Sequence, residues 1–236
     1  MEAQACSYLI GGAAIMDKVI DLNLDHKTYR KGSSSVTLLE HFSLTVAEGE
    51  KVAIVGESGV GKSTLLNILG LLDTRYEGSY RLLGRSARTL SDLESAALRN
   101  QKIGFVLQES ALIGSLSIAD NIRLPLLYAR TPRKGDSRRF DQVVDSLDIG
   151  SILSKKPLEC SGGEKSRAVF ARAVIMNPEV VLADEPTASL DSENRSRIIA
   201  LLFALNHDSG STIVTVTHDA SLADQHDRII KLQRKA

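Results

Sequence analysis

The sequence predicts an α/β fold: a mostly parallel sheet covered by helices, with an antiparallel β-subdomain before it and a helical subdomain inserted into it. Short apolar runs at 51–55, 102–107, 180–183 and 212–216 alternate with segments of helical spacing. Such alternation is typical of a parallel sheet with helices on both faces. The second observation is a glycine-rich turn at 56–64, between the first of these strands and the helix after it.

The antiparallel β-subdomain is predicted from alternating apolar and polar residues. Residues 18–24 and 36–46 alternate in this way, and the polar turn 31–35 joins them. This pattern is typical of two paired strands. Residues 78–84 predict a further strand of the same sheet, and residues 91–101 predict a helix.

A helical subdomain is expected at about 109–160. Residues 118–128 and 136–147 have helical spacing and are separated by the breaker-rich stretch 130–135. Further along, residues 192–207 predict an amphipathic helix that ends before Gly210. The apolar side of that helix is predicted to consist of Ile198, Ile199, Leu201, Leu202 and Leu205.

The composition is that of an ordinary globular protein. The chain has 236 residues, 43% hydrophobic and 25% charged, which supplies enough material for a large core. Lys plus Arg equal Asp plus Glu at 29 each, so no excess of positive charge indicates a nucleic-acid partner. The two cysteines, Cys6 and Cys160, stand in unlike contexts. This usage favours a reducing compartment over a disulfide or metal framework.

The N-terminal residues are expected to be an extension rather than a targeting signal. Residues 8–16 are mildly apolar, but they are too short to cross a bilayer, and Glu2 is the only charge ahead of them. We therefore expect 1–16 to be a disordered extension, with Met16 as an alternative start, and 17–236 to be the folded domain. No other run approaches transmembrane length, so membrane contact is expected only through a partner.

The turn at 56–64 has the spacing Gly56-x4-Gly61-Lys62-Ser63, which predicts a nucleotide phosphate site. The glycines let the backbone curl until several amide N–H groups point at one anion. Lys62 brings a positive charge to the β- and γ-phosphates, and the Ser63 hydroxyl is placed to ligate Mg²⁺. The residues predicted to surround the phosphates are Gly56, Glu57, Ser58, Gly59, Val60, Gly61, Lys62, Ser63 and Thr64.

Polar side chains follow three of the predicted strands. Asp184 and Glu185 come after the strand at 180–183, where Asp184 can hold Mg²⁺ through water and Glu185 can polarise an attacking water. Gln108 follows the strand at 102–107, where its amide can reach the metal or the attacking water. His218 follows the strand that begins at 212, where it can hydrogen-bond the γ-phosphate. Each residue taken alone also fits a solvated strand end. Their joint occurrence after a phosphate loop favours the catalytic interpretation.

A second anion site is predicted at Ser161, Gly162, Gly163 and Glu164. These residues open a helix, and helix N-termini bind anions. One phosphate-binding domain has no use for a second cradle about a hundred residues away, unless that cradle closes on the nucleotide of another copy. Taken alone, the four residues also fit an ordinary helix start that contains two flexible glycines and binds no anion.

Taken together, the motifs resemble those of the ATP-binding-cassette ATPases, and the resemblance covers nearly all of residues 17–235. Residues 56–64 resemble the family's Walker A motif and residues 180–187 its Walker B motif. The other matches are Gln108 to the Q-loop, 160–164 to the signature, 188–191 to the D-loop, His218 to the switch histidine and Tyr29 to the adenine-stacking aromatic.

The resemblance implies a P-loop NTPase (RecA-like) core that hydrolyses ATP with Mg²⁺. It also implies a homodimer that holds two ATP molecules head to tail, each between the P-loop of one copy and the signature of the other. The catalytic residues that it implies are Lys62, Gln108, Glu185 and His218, and the metal-binding set is Ser63, Gln108 and Asp184.

Within the family, residues 67–73, 103–108, 121–129 and 182–191 are similar to the ATPases of lipoprotein-release and macrolide- or peptide-export systems. The similarity implies an integral-membrane permease as partner and a cytoplasmic position on the inner face of the cell membrane. The implied cargo is a peptide, lipoprotein or drug-like molecule. One alternative is a signalling ATPase that gates an extracytoplasmic activity. A soluble cassette acting on ribosomes or DNA is less favoured, because the charge is balanced and no nucleic-acid partner is indicated.

Two residues depart from the usual signature. Cys160 stands where leucine is usual, and we expect it to pack rather than to touch phosphate. Glu164 stands where glutamine is usual, which puts a negative charge near the γ-phosphate held by the other copy. We expect Glu164 to slow closure or hydrolysis without abolishing it.

Overall fold

The computed structural model describes residues 18–31, 34–107, 111–129, 135–188 and 190–233. The predictions for residues 1–16, for Gln108 and for parts of the turns at 31–35 and 130–135 lie outside these residues. So does the side chain of Tyr29, although its backbone pairs with Val36 in the first sheet.

The predicted antiparallel sheet is present and has four strands in the order β2-β1-β4-β5. Its strands are β1 (Lys18–Lys31), β2 (Ser34–Ala47), β4 (Glu77–Leu82) and β5 (Arg85–Ser86). β1 is the central strand, and Leu22 is in register with Leu44 on one side and Tyr80 on the other. All three side chains are buried, so this face of the sheet forms part of the main core.

The second sheet is parallel and has the strand order β6-β7-β8-β3-β9. Its strands are β3 (Lys51–Val55), β6 (Ile103–Val106), β7 (Val180–Asp184), β8 (Thr212–Val216) and β9 (Arg228–Lys231). β8 is buried throughout because helices cover both faces. β9 was not predicted from the sequence, because it is an edge strand with only two apolar residues, one of which, Ile229, is exposed.

The helices against the parallel sheet agree with the predicted pattern. They are α1 (Lys62–Leu69), α2 (Asp92–Lys102), α6 (Ser192–Ser209) and the short α7 (Ala220–Ala223), which was not predicted. α6 ends at Gly210, whose φ of +67° is the left-handed conformation that glycine adopts without strain. Of its predicted apolar side, Ile198 and Leu202 are buried and the other three residues are half-buried. No helix of the described ranges is long and apolar enough to cross a membrane.

Between β6 and β7 the chain forms a helical region whose core continues onto one face of the parallel sheet. It contains α3 (Ile118–Leu127), α4 (Asp136–Ser146) and α5 (Gly162–Val174). Ile122, Phe140 and Phe170 are buried together there, and Cys160 packs in the same cluster as expected. The buried Asn121 side chain fixes the loop before α3. It accepts the Ile113 N–H at 2.7 Å and donates to the carbonyl oxygens of Ile113 and Ser117 at 3.1 and 2.9 Å.

Two buried polar contacts tie the antiparallel sheet to α1 and to the segment that follows it. Lys27 of β1 is 1% exposed and forms an ion pair with Asp73 at 2.7 Å. The Tyr80 hydroxyl of β4 donates to the carbonyl of Leu69, the last residue of α1, at 2.7 Å. Buried polar groups are costly unless they are paired, so these contacts define one orientation of the sheet against the phosphate-loop helix.

Candidate active site

The phosphate loop connects β3 to α1 and approaches other backbone closely. A Cβ atom on Gly56 would lie 2.5 Å from the carbonyl oxygen of Leu232, which follows β9, so only glycine fits at this position. Gly61 precedes the first residue of α1 and has a φ of +107°, a conformation that other residues rarely adopt. The loop therefore turns the N-terminal amides of α1 toward its interior, as an anion site requires.

Lys62 lies over this loop. Its Nζ donates to the carbonyl oxygens of Gly56 and Glu57 at 2.8 and 2.9 Å. These contacts hold the ammonium group at the mouth of the loop. A phosphate bound there would provide a stronger, charge-assisted acceptor for the same donor.

Asp184, the last residue of β7, lies beside Ser63 at the start of α1. Both side chains line the same cavity. Burial is the main influence and raises the pKa of Asp184 above its ordinary value, and the nearby charge of Glu185 adds to the rise, whereas the neighbouring Ser63 hydroxyl and the charge of Lys62 oppose it. A half-buried carboxylate next to a hydroxyl is a pair of oxygen ligands suited to Mg²⁺.

Glu185 adopts a left-handed backbone conformation, with φ of +47°, directly after β7. Its N–H donates to the carbonyl of Val216 at the end of β8, at 2.9 Å. Its carboxylate contacts His218, with 2.9 Å between Oε1 and Nδ1, and it accepts the His218 backbone N–H at 3.3 Å. The Glu185 side chain is 12% exposed and that of His218 73% exposed. The imidazole is thus placed between the carboxylate and solvent.

These groups surround one cavity of about 410 Å³, within the size range of small-ligand sites. It is lined by Gly56, Ser58, Gly59, Gly61, Lys62, Ser63, Thr64, Asp184, Glu185 and His218. Of the remaining predicted loop residues, Val60 is buried beneath the loop and Glu57 contributes its carbonyl to Lys62. The structure therefore brings together the phosphate-loop residues, the acidic pair and the histidine.

The residues present fit a nucleoside triphosphate and a magnesium ion. The loop amides and Lys62 supply donors for phosphate, and Ser63 with Asp184 supplies oxygen ligands. The described residues contain no group of three or more His, Cys, Asp or Glu side chains able to hold a metal by themselves. Magnesium at such sites is typically shared between one or two protein oxygens and the substrate phosphates.

The second predicted anion site is a capped helix start. Ser161 Oγ accepts the Glu164 N–H at 3.2 Å, and the Glu164 carboxylate accepts the Ser161 N–H at 2.6 Å. Lys155 Nζ donates to the other carboxylate oxygen at 3.2 Å. The Ser161 backbone N–H and, after it, Lys155 lower the pKa of Glu164 below its ordinary value. Gly163 is packed so tightly that a Cβ there would meet the Asn194 side chain at 2.3 Å.

This helix start does not take part in the phosphate-loop cavity. None of Ser161, Gly162, Gly163 and Glu164, all of which the structure describes, lines that cavity. Gly162 instead lines a separate cavity of about 200 Å³ together with residues next to β6 and β7. Within one copy of the chain, the two predicted anion sites are thus separate.

Sequence reasoning missed two sets of supporting residues. Asp219 accepts the Ser221 N–H at 2.9 Å, which caps α7, and it pairs with Arg195 of α6 at 3.1 Å. This ties the loop of His218 to α6. Lys155, the partner of Glu164, was also missed. Lys155 lies in an irregular segment and therefore gives no periodic signal. Asp219 directly precedes a short helix and could have been recognised as a helix cap.

Replacing Asp184 with asparagine is expected to stabilise the nucleotide-free protein at neutral pH. The pKa of Asp184 is higher in the folded state than in the unfolded state. At pH values between these two pKa values the folded state binds more protons, so the free energy of unfolding falls as the pH rises through this range. Asparagine removes this penalty and keeps the hydrogen-bond acceptor. The melting temperature of Asp184→Asn should therefore exceed the parent's at pH 7, and the advantage should disappear near pH 4. Thermal scans across pH test this.

The matched control is Asp141→Asn, an exposed aspartate in the middle of α4. It should change the melting temperature little at any pH. A melting temperature of Asp184→Asn at or below the parent's at pH 7 would contradict the assignment of a burial penalty to this carboxylate.

Glu164→Gln is expected to raise the ATPase rate by about twofold. The amide oxygen can still accept the Ser161 N–H, so the helix start is kept. Removing the charge leaves less repulsion toward phosphate, and the change is small because partly exposed charges interact weakly. Steady-state ATPase assays measure it, and an unchanged rate would sink the idea that Glu164 slows the cycle.

Comparison with known proteins agrees with this geometry. A family model described as "ABC transporter" matches residues 39–188. A macrolide export ATP-binding/permease protein, MacB 1 of Aeromonas hydrophila, is 44% identical over 92% of this chain and 33% of its own length. MacB of Escherichia coli is 41% identical over the same shares. Among solved structures, the dimeric post-hydrolysis state of the cassette MJ0796 with ADP and Pi has a TM-score of 0.84 and 38% identity, covering 91% of this chain and 94% of that one.

The fold and the site define a P-loop ATPase of the α/β class, as the sequence predicted. The chain belongs to the ABC transporter family and is an ATP-binding-cassette ATPase. It spans about a third of the length of the curated relatives that it matches.

Proposed function

We propose that this chain binds ATP with Mg²⁺, dimerises on it, and hydrolyses it to drive export through an integral-membrane permease. The observation that carries the proposal is the separation of the two predicted anion sites within one copy. A helix start that can bind phosphate has a role if it completes the site of a second copy. The relative cassette MJ0796 is described as dimeric, which supports this arrangement.

In the proposed mechanism, the loop amides and Lys62 hold the β- and γ-phosphates. Ser63 and Asp184 hold Mg²⁺, which offsets phosphate charge when bound. Glu185 orients the attacking water and accepts its proton, because its carboxylate lies at the cavity wall and is mostly shielded from solvent. His218 keeps this carboxylate in place and donates toward the γ-phosphate from its exposed position.

Three further roles complete the proposed site. Tyr29 stacks on the adenine, and Gln108 contributes to the metal and water positions. Ser161, Gly162 and Gly163 of one copy contact the γ-phosphate held by the other, where the α5 N-terminus favours negative charge. Loss of that phosphate on hydrolysis removes the contact between copies, so the dimer relaxes.

The proposed docking surface for the permease is on the helical region. Leu127 and Tyr128, at the C-terminal end of α3, are 75% and 76% exposed. Adjacent exposed apolar side chains are candidates for contact with a partner. The curated relatives are named as ATP-binding/permease proteins, which supports a permease as the partner, with this chain on the cytoplasmic face of the membrane. Their names also support a macrolide-like cargo within the drug-like class.

The experiment is affinity capture with Glu185→Gln from detergent-solubilised membranes of the host, with ATP and Mg²⁺. This variant should bind nucleotide and remain in the closed dimer. We expect recovery of an integral-membrane permease. The control, Leu127→Ser combined with Tyr128→Ser, should bind ATP equally and recover much less permease. Recovery of ribosomes or nucleic-acid complexes without a membrane protein would overturn the transport proposal.

A further inference from the structure

We propose that Lys155 is a positioning residue that neutralises Glu164 and so allows the α5 N-terminus to accept the phosphate of a second copy's ATP. The inference rests on the proposed function and deepens it. Its basis is the contact of 3.2 Å between Lys155 Nζ and Glu164 Oε1, at the helix start that the proposal places against phosphate.

The need for such a residue follows from where Glu164 lies. A helix N-terminus attracts anions through its unpaired N–H groups and its dipole. Glu164 is the third residue of α5, and its carboxylate already accepts the Ser161 N–H at 2.6 Å. The carboxylate is therefore an internal anion at the point where an external phosphate is proposed to bind. Without compensation, it would repel that phosphate.

Lys155 is held where it can supply the compensation. Its carbonyl accepts the Ile118 N–H at the start of α3, and its own N–H donates to Ile152, both at 2.9 Å. The backbone of Lys155 is thus anchored on the helical region, and its side chain extends to Glu164. The two side chains are 39% and 22% exposed, so the pair is only partly screened by solvent.

Other charged groups nearby do not replace this contact. Glu159 caps the short 3-10 helix Pro157–Glu159 by accepting the Lys156 N–H at 2.6 Å. Lys165 lines the separate cavity beside β6 and β7. Lys156 is exposed, one residue from Lys155, and therefore offers a matched control with the same charge.

The test measures the ATP-dependent dimer dissociation constant in the Glu185→Gln background, by sedimentation or fluorescence. Adding Lys155→Met should weaken the dimer by about fivefold or more, because each dimer contains two such pairs and each pair is only partly exposed. Adding Glu164→Gln to Lys155→Met should restore the constant to within about twofold of the parent. Lys156→Met should have no effect, and the Lys155→Met penalty should shrink at high salt.

Two results would overturn the inference. The first is a Lys155→Met dimer as tight as the parent. The second is a double variant as weak as Lys155→Met alone, which would mean that Lys155 acts directly rather than by neutralising Glu164. ATP binding by each monomer, measured separately, shows whether the variants fold. If the Glu185→Gln protein itself binds ATP but never dimerises, the proposed function is overturned, and this inference fails with it.

Discussion

Replacing Glu185 with glutamine is expected to lower the steady-state ATPase rate by a factor of about 10² to 10⁴, the usual contribution of a general base. The side chain keeps its size, and the amide oxygen can still accept the His218 backbone N–H, which lies 3.3 Å from the carboxylate. ATP affinity should therefore change by less than about threefold, because Glu185 contacts the attacking water and the other residues hold the phosphates. Single-turnover hydrolysis and equilibrium ATP binding measure the two effects separately.

The matched control for this variant is Glu179→Gln. Glu179 directly precedes β7, whereas Glu185 directly follows it, so the two glutamates flank the same strand. Glu179 contacts Lys102 and lies away from the phosphate-loop cavity. Glu179→Gln should keep the parent's rate. An ATPase rate of Glu185→Gln within tenfold of the parent would contradict the assignment of Glu185 as the base.

Replacing Lys62 with methionine is expected to weaken ATP binding by about ten- to a hundredfold. Lys62 is the one cation that lines the phosphate-loop cavity among the described residues, and a hydrogen bond to a charged group contributes about 1.5–3 kcal/mol. The loss should be larger for ATP than for adenosine, since adenosine has no phosphate to contact. Calorimetric titration with both ligands tests this difference.

Lys102→Met is the control for the lysine variant. Lys102 pairs with Glu179 at the amino ends of β6 and β7, whereas the phosphate-loop cavity lies at the carboxyl ends of the strands. It should bind ATP like the parent. Equal affinity of Lys62→Met and the parent for ATP would contradict the placement of the phosphates. Equal losses for ATP and adenosine would indicate damage to the fold instead.

The sequence was sufficient to predict most of the fold because the strands are buried and the helices have clear start and stop signals. α6 has a signal at each end: Asp191 caps its N-terminus, and Gly210 stands just beyond its last residue. β9 was missed because an edge strand needs few apolar residues. β1 was predicted too short, since it continues to Lys31 through polar residues that the alternation did not include.

The site was predictable to the extent that its residues stand next to strands and helix starts. Asp184, Glu185 and His218 converge because the carboxyl ends of parallel strands share one edge of the sheet. The left-handed backbone of Glu185 and its contact with His218 were not predictable, since they depend on loops packed in three dimensions. The same holds for Lys155, which is nine residues from Glu164 and reaches it only through the folded helical region.

The central claim is that two copies of the chain complete each other's ATP sites. The most direct test is the mass in solution of Glu185→Gln with saturating ATP and Mg²⁺, measured by light scattering after gel filtration. We expect twice the mass of one chain with ATP. With ADP, or when Ser161→Arg is added to block the signature, we expect the mass of one chain. A single-chain mass for Glu185→Gln with bound ATP would contradict the claim.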